Sequence, residues 1–268
     1  MAGQGSQTLP LQSGIIYGPV QSRRLGLSLG VNLLPANYKL CSFNCLYCQY
    51  GWTRKPTLDP GDRIKDLPQP QEVSKALERS LKQLLRRRVK LDCITLSGNG
   101  EPTLHPDLAE IADAAKALRD RYFPQVKVAI LSNSSTVGRE AIREALEKFD
   151  LKIMKLDAGS DEIIHRLNAP APPFYLGDVV EGLKRLQGVI LQSLFVHGRV
   201  TNADPDSIEV WLEKVREIQP TRVQVYTLDR APAEERLWKV GLATLQWVGS
   251  QVRWRAGVPA EVYAKAVP

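Results

Sequence analysis

Cysteine, histidine and long apolar runs are scarce in this sequence. Its 268 residues include four cysteines and three histidines. Three of the cysteines are clustered, which is not the pattern of a disulfide framework, so we expect a reducing, cytoplasmic location. No apolar run is long enough to span a bilayer, and residues 1–13 have no apolar core of the kind that a secretory signal needs. We therefore predict neither a membrane protein nor a disulfide-stabilised secreted module.

The composition is that of a globular protein with a basic surface. Hydrophobic residues make up 43% of the chain, which is long enough to bury a sizeable core. The formal net charge is +7 and the pI is about 9.2. A basic chain permits an anionic partner such as RNA, but charge alone does not identify that partner.

Short apolar runs rich in Val, Ile and Leu alternate with helical patterns from residue 29 to residue 228. The predicted strands are Leu29–Leu34, Cys93–Leu96, Val126–Leu131, Leu151–Leu156, Val189–Val196 and Arg222–Leu228. Amphipathic helical stripes lie between them, and parallel strands need such crossovers. Six repeats predict an α/β fold, a partial (β/α)6 TIM-type barrel with a parallel sheet. In such barrels the chemistry lies at the C-terminal strand ends.

The predicted organisation is a short N-terminal extension (1–28), the barrel (29–228) and a C-terminal helical tail (229–268). A doubly wound open sheet is the alternative, but it would normally carry a Gly-rich phosphate loop after its first strand. Here that loop carries cysteines, which favours the barrel. Two helix starts are also predicted, with Ser160 and Asp204 as N-caps.

The clustered cysteines Cys41, Cys45 and Cys48 have the spacing Cys-x3-Cys-x2-Cys. A closed structural zinc site needs four ligands, whereas three thiolates on one loop can hold three corners of an iron–sulfur cube. The fourth iron would then be open for chemistry. The alternative is a zinc knuckle completed by His105 or Cys93, although Cys93 begins an apolar strand and is expected to be a buried thiol.

The cysteine motif resembles that of the radical S-adenosylmethionine (SAM) superfamily. The resemblance implies that Cys41, Cys45 and Cys48 bind a [4Fe-4S] cluster whose open iron is chelated by SAM. An electron from a donor such as flavodoxin or ferredoxin would then cleave SAM. The resulting 5′-deoxyadenosyl radical would abstract hydrogen from a substrate. Tyr47 matches the aromatic residue that lies beside the adenine in that family.

Two further motifs follow predicted strands. Gly98-Asn99-Gly100-Glu101 resembles the Gly-Gly-Glu motif of the family, which implies that Gly98, Gly100 and Glu101 bind the amino group of SAM. In isolation this motif would be an ordinary strand-to-helix loop. Ser132 and Asn133 follow the next strand and match residues that contact the ribose or the carboxylate. Helix N-capping near Gly138 is the alternative for them.

Polar residues also interrupt or end the later strands. Lys155 and Asp157 alternate with Leu156, so they face the same side of the strand. We interpret them as substrate or SAM contacts, with an internal salt bridge as the alternative. Gln192 resembles a SAM ribose contact by its position. No catalytic residue is predicted.

The segments 17–26 and 226–234 resemble one branch of the superfamily, the iron–sulfur oxidoreductases related to wyosine-forming tRNA enzymes. Those enzymes carry extra N-terminal cysteines for a second cluster that engages pyruvate. No cysteine precedes Cys41 in this sequence, so we do not expect the pyruvate-dependent ring closure.

The tail combines aromatic and basic residues, among them Trp247, Arg253, Trp254 and Arg255. They predict either stacking on single-stranded RNA or packing of the tail on the barrel. We predict a radical SAM enzyme with an unidentified substrate, possibly RNA. The alternatives are an activating enzyme that makes a radical on a partner protein, and a zinc-stabilised RNA-binding module.

Overall fold

The computed structural model describes residues 8–264. Its main feature is an eight-stranded sheet with the order β1-β2-β3-β4-β5-β6-β8-β10. The strands are β1 (Ile16–Ser22), β2 (Gly26–Val31), β3 (Cys93–Leu96), β4 (Lys127–Ser132), β5 (Leu151–Lys155), β6 (Val189–Leu194), β7 (Val196–Gly198), β8 (Arg222–Tyr226), β9 (Leu237–Lys239) and β10 (Ala260–Tyr263). The strands from β2 to β10 in this sheet are parallel, and β1 pairs antiparallel with β2.

Helices connect the parallel strands. They are α1 (Pro70–Arg86), α2 (Leu108–Tyr122), α3 (Glu140–Glu147), α4 (Asp161–Asn168), α5 (Leu176–Lys184), α6 (Pro205–Ile218) and α7 (Leu242–Gln251). The sheet curls into a half-barrel, which confirms the predicted partial TIM-type barrel. No helix within residues 8–264 combines the length and hydropathy needed to cross a membrane.

The core lies between the sheet and these helices. β3 and β6 are buried at every position, as expected for parallel strands beneath crossover helices. α1 turns Val73, Leu77 and Leu81 toward the same core at helical spacing. Burial of this continuous apolar cluster is the main stabilising contribution to the fold.

The first predicted strand differs most from the structure. β2 begins at Gly26 because a hairpin pairs it with β1, a strand that the sequence analysis does not predict. β2 ends at Val31 because the side chain of Asn32 bonds to the backbone of Leu34, through Nδ2 to the carbonyl at 2.8 Å and through Oδ1 from the amide at 3.3 Å. The other predicted strands overlap the observed ones, and Cys93–Leu96 agrees at both ends.

Both predicted helix starts are confirmed. The Ser160 hydroxyl accepts a hydrogen bond from the Ile163 amide, and the Asp204 carboxylate accepts one from the Ser207 amide. These caps depend only on neighbouring residues, so local sequence is sufficient to predict them.

The C-terminal segment extends the barrel sheet. α7 buries Leu245 and Val248, a π-helical turn follows at Val252–Ala256, and β10 then pairs in parallel with β8. The domain boundaries at residues 28 and 228 stay predictions. β7 and β9 form a separate two-stranded antiparallel sheet.

Candidate metal and cofactor site

The three clustered cysteines lie on the long loop after β2, at the edge where the parallel strands end. Leu40, just before them, bridges to Gly100 in the loop after β3. Cys41 is buried, and Cys45 and Cys48 are half-buried. The cysteine loop therefore meets the other strand-end loops on one side of the barrel.

Each of the three sulfur atoms lies beside a nitrogen donor. The pairs are Asn133 Nδ2 to Cys41 Sγ at 3.6 Å, Asn168 Nδ2 to Cys45 Sγ at 3.4 Å and Lys39 Nζ to Cys48 Sγ at 2.9 Å. Hydrogen bonds to sulfur stabilise the thiolate form and tune the potential of iron–sulfur clusters. Lys39 also donates to the Gly51 carbonyl at 2.8 Å, which holds its ammonium in place.

The donor set fits an iron–sulfur cluster. Burial raises the pKa of Cys41 to about 12 and that of Cys45 to about 11, so metal binding would have to displace their protons. In residues 8–264, no group of three or more His, Cys, Asp or Glu side chains is arranged to hold a single metal ion. In a cubane the three thiolates bind three different irons, and the arrangement of one loop with three supported thiols suits that use.

The zinc alternatives lack a fourth ligand at this place. In His105, Nε2 lies 3.0 Å from the Pro68 carbonyl and Nδ1 accepts the Asp107 amide at 3.2 Å. Both ring nitrogens are therefore engaged by the backbone. Cys93 is buried in β3, and its sulfur accepts a hydrogen bond from Thr95 at 3.5 Å. Both residues are structural, as the sequence analysis expected for Cys93.

Glycine at position 100 allows the loop after β3 to contact the cysteine loop. A Cβ atom at Gly100 would lie 1.7 Å from the Leu40 carbonyl oxygen, and its φ of +144° favours glycine. The Glu101 amide donates to that same carbonyl at 3.0 Å. At Gly98, a Cβ would lie 2.4 Å from Asn32 Oδ1. Glycine is thus required at both positions, because a Cβ atom would clash with a neighbouring segment of the protein.

Glu101 connects the loops after β3 and β4. Its Oε1 accepts the Thr103 amide at 3.1 Å and the Thr103 hydroxyl at 2.6 Å. Its Oε2 accepts the Asn133 amide at 2.6 Å. Burial raises the pKa of Glu101 above its usual range, although these hydrogen bonds oppose the shift. The predicted contact with the SAM ammonium group stays a prediction.

The serine-rich loop after β4 does not cap α3, so the capping alternative is wrong. α3 begins at Glu140, and Arg139 stands at its N-cap without a side-chain hydrogen bond. Ser132 Oγ and Asn133 Oδ1 instead accept amides within their own turn. The Asn133 Nδ2 also donates to Ser42 Oγ at 2.9 Å, which ties this loop to the cysteine loop.

An ion pair stands at the end of β5. Lys155 Nζ lies 3.1 Å from Asp157 Oδ1, which confirms the internal salt bridge that we considered as the alternative for these residues. The Tyr47 hydroxyl donates to Asp157 Oδ2, and the Leu194 amide donates to Oδ1 at 2.9 Å. Asp157 is therefore fully engaged by the protein, and its role toward SAM stays a prediction, as does that of Tyr47.

Gln192 belongs to a polar row across neighbouring strands. Its Nε2 donates to Gln224 Oε1 at 3.0 Å, and Gln224 Nε2 donates to Glu261 Oε2 at 3.2 Å. These residues lie on β6, β8 and β10. Gln192 and Gln224 are buried, whereas Glu261 is half-buried, and the ribose contact of Gln192 stays a prediction.

Two residues beside the thiols, Lys39 and Asn168, were not predicted from the sequence. Asn168 is 1% exposed, ends α4 and donates through Nδ2 to Cys45 Sγ, to the Tyr47 hydroxyl at 2.9 Å and to Asp157 Oδ2 at 2.9 Å. Its Oδ1 has no hydrogen-bond partner within residues 8–264. A buried amide oxygen without a partner is uncommon, and it is available to a bound group. Lys39 could have been predicted, because it stands two residues before Cys41. Nothing in the sequence around Asn168 indicates that it contacts the cysteine loop.

The sequence model of the Radical SAM superfamily matches residues 38–200, which include the three clustered cysteines and the ends of β3 to β6. The chain belongs to the radical SAM superfamily. Radical SAM proteins are iron–sulfur enzymes that depend on SAM, and the predicted family is thereby confirmed. Because the members of this superfamily are enzymes, the alternative of a zinc-stabilised RNA-binding module no longer applies.

Several relatives are similar over most of the chain. A "UPF0026 protein" of Methanocaldococcus jannaschii is 32% identical over 225 residues, covering 82% of this chain and 65% of the relative. A "UPF0026 protein" of Synechocystis is 33% identical, covering 78% of this chain and 74% of the relative. The chain thus spans about two thirds to three quarters of the length of these relatives.

Solved structures share the fold at low identity. A radical SAM methyltransferase from Sphaerobacter thermophilus has a TM-score of 0.61 at 14% identity, covering 88% of this chain and 65% of that one. Streptococcus suis SuiB bound to S-adenosylmethionine has a TM-score of 0.60 at 16% identity, covering 88% and 50%. TYW1 with a lysine–pyruvate adduct has a TM-score of 0.57 at 16% identity, covering 84% and 72%.

Proposed function

We propose that this radical SAM enzyme holds a [4Fe-4S] cluster through Cys41, Cys45 and Cys48 and leaves one iron to SAM. With an electron from a donor such as flavodoxin or ferredoxin, the bound group would cleave SAM reductively and supply a 5′-deoxyadenosyl radical that abstracts hydrogen from a substrate. The observation that carries this proposal is the set of three thiols on one loop, each beside its own nitrogen donor.

The residues around the thiols hold and balance the charge of the bound cluster. Three thiolates bring negative charge into a largely buried place, and the Lys39 ammonium offsets part of it. Asn133 and Asn168 fix the orientation of Cys41 and Cys45 through neutral N–H donors. Such outer contacts set how tightly a metal group is held and at what potential it is reduced.

We propose that SAM lies between the cysteine loop and the ends of β3 to β6. The close approach at Gly98 and Gly100 brings the loop after β3 to the cysteine loop, and Glu101 adds a buried carboxylate. Ser132, Asn133, Asp157 and Gln192 would complete the polar contacts, with Tyr47 beside the adenine. The free Oδ1 of Asn168 adds an acceptor that the predicted set did not contain.

Exposed residues of the C-terminal tail support RNA as a candidate substrate. Trp254 is 87% exposed and Trp247 is 43% exposed, so neither ring packs fully on the barrel. Arg253 and Arg255 flank Trp254, although Arg255 forms an ion pair with Glu209. Exposed aromatic rings with neighbouring cations bind single-stranded nucleic acid by stacking and charge neutralisation. Activation of a partner protein stays the alternative.

Anaerobic reconstitution with iron and sulfide tests this function. With dithionite as reductant, the wild-type protein is expected to convert SAM to methionine and 5′-deoxyadenosine, and Cys48→Ala is expected to lose this conversion. Cys93→Ala is the matched control, because its thiol lies in the β3 core. A wild-type protein that binds the cluster and leaves SAM intact would refute the proposal.

A further inference from the structure

The two arginines of the β1–β2 turn differ in their partners. Arg23 Nη2 lies 3.1 Å from Asp229 Oδ2 and so forms an ion pair. The half-buried Arg24 guanidinium has neither a hydrogen bond nor an ion pair to any residue in the range 8–264. It lies 4.6 Å from the ring centroid of Tyr226 and 5.8 Å from that of Tyr263. Its N–H donors are therefore unused, although the aromatic rings fix its position.

Lys155 lies against the same Tyr226 ring, with its Nζ 5.0 Å from the centroid. The ammonium also donates to the Tyr226 hydroxyl at 2.7 Å and lies 3.1 Å from Asp157 Oδ1, with which it forms an ion pair. An ammonium group has three donors, so one remains for a ligand. The Lys155 side chain is 18% exposed, which leaves a path to it. Arg24 and Lys155 are called the cation pair below.

The surroundings of the cation pair carry more positive than negative charge. Asp157 compensates Lys155, and Glu261 lies 3.5 Å from Arg222. No carboxylate is left within ion-pair distance of Arg24 among the described residues. The pKa of Lys155 is affected first by burial, which lowers it, but Asp157 and Tyr226 outweigh burial and raise it above the usual value. Lys155 is therefore an ammonium group at neutral pH.

The cation pair lies where residues from the first and the last strands of the sheet meet. Arg24 comes from the hairpin at one end, and Tyr263 ends β10 at the other. Lys155 and Tyr226 stand at the C-terminal ends of β5 and β8. The Lys155 Nζ is also 5.0 Å from the ring centroid of Tyr47, which precedes Cys48. The unused donors therefore lie on the side of the barrel that carries the cysteine loop.

We propose that Arg24 and Lys155 form an oxyanion site that binds a carboxylate or phosphate group of the substrate. The inference rests on the proposed function, because the substrate must reach the side of the barrel where SAM is cleaved. A guanidinium binds two oxygens of a planar or tetrahedral oxyanion at once, and an ammonium adds a point charge. The site would orient an acidic small molecule or a phosphate-bearing one toward the cysteine loop.

Equilibrium binding of small anions tests the site separately from SAM cleavage. Succinate and inorganic phosphate are titrated by anaerobic calorimetry into the reconstituted protein at low ionic strength, without and with saturating SAM. We expect saturable binding of at least one of them, and the tighter of the two identifies the oxyanion. Arg24→Gln is expected to weaken binding about tenfold or more, and Arg24→Lys to restore part of it.

Arg23→Gln is the matched control, since this neighbouring guanidinium is already paired with Asp229. It is expected to change the affinity by less than about twofold. No saturable binding of either anion, or an equal loss in Arg23→Gln, would overturn the proposal. Exclusion of the anion by SAM would also overturn it, because the cations would then serve SAM. Failure of SAM cleavage with intact anion binding would refute the proposed function alone.

Discussion

The surroundings of the cysteines and those of Arg24 differ in how their polar groups are satisfied. Around the cysteines, Glu101 and Asp157 are engaged by amides, hydroxyls and an ammonium group from the protein. By contrast, the Arg24 guanidinium has aromatic neighbours and no oxygen partner within the described chain. Side chains that are hydrogen-bonded by their neighbours are held in one geometry, whereas unused N–H donors are available to a ligand. This difference supports our proposals that the cofactor is held near the cysteines and that the substrate is bound near Arg24.

Loss of one cysteine should have the largest effect of these substitutions, and this effect should be confined to the surroundings of the cysteines. Cys45→Ser removes one thiolate from a site that has three, so iron is expected to fall well below the roughly four atoms per chain of an intact cubane. SAM cleavage should fall to background. Iron analysis and 5′-deoxyadenosine assays measure both, and Cys93→Ser should retain both. Normal iron content in Cys45→Ser would contradict this ligand assignment.

Gly100→Ala should separate the loop after β3 from the cysteine loop. The added Cβ meets the Leu40 carbonyl, and backbone atoms cannot move aside as side chains do. The free energy of unfolding is expected to fall by roughly 2–4 kcal/mol, with poor cluster loading. Urea unfolding measures the change. Gly177→Ala is the matched control, because nothing lies within 4 Å of its Cβ in helix α5. Equal stability of the two variants would show that the loops are not in close contact.

Asn168→Ala should have an effect of intermediate size. It tests whether Asn168 acts on the cluster through Cys45 or only supports the fold. It removes the donor beside Cys45 and costs about 1–3 kcal/mol of stability, because the buried Asp157 and Tyr47 lose a partner. The reduction potential of the cluster should become more negative, since a donor to sulfur stabilises the reduced form. Arg166→Ala on the same helix is exposed and should leave the potential unchanged. An unchanged potential in Asn168→Ala would leave Asn168 with only a structural role.

Trp254→Ala should have the smallest effect on the fold and on SAM cleavage. Its ring is 87% exposed, so stability should change by no more than about 0.5 kcal/mol. If the tail binds RNA, single-stranded RNA affinity should fall by about 1–3 kcal/mol, as measured by fluorescence anisotropy. Trp238→Ala, which removes a 62% exposed ring on β9, is the control. Equal RNA affinity in wild type and Trp254→Ala would remove the support for RNA.

Features that depend on neighbouring residues could be predicted from the sequence. The cysteine spacing, the β3 strand and the caps at Ser160 and Asp204 belong to this group, because each is fixed within a few residues. The alternation of strand and helix patterns in the sequence was sufficient to predict the half-barrel. The hairpin start of β2 was not predicted, since pairing with β1 decides it.

Features that depend on closure of the sheet could not be predicted. Asn168 and Cys45 are far apart in sequence, and only the fold brings the amide to the thiol. The stack of Arg24 on Tyr226 and Tyr263 joins a hairpin at one end of the sheet to strands at the other. The neighbouring arginines Arg23 and Arg24 look alike in the sequence, and only the structure shows that Arg23 is the one paired with Asp229.

The most direct test of the account is whether SAM binds an iron that has no cysteine ligand. The reduced, reconstituted protein is mixed with SAM carrying ¹⁵N in its amino group and measured by electron–nuclear double resonance. The account predicts a hyperfine coupling between the ¹⁵N nucleus and the cluster, present in wild type and in Arg24→Gln. A protein with an intact cluster and bound SAM but no such coupling would contradict it.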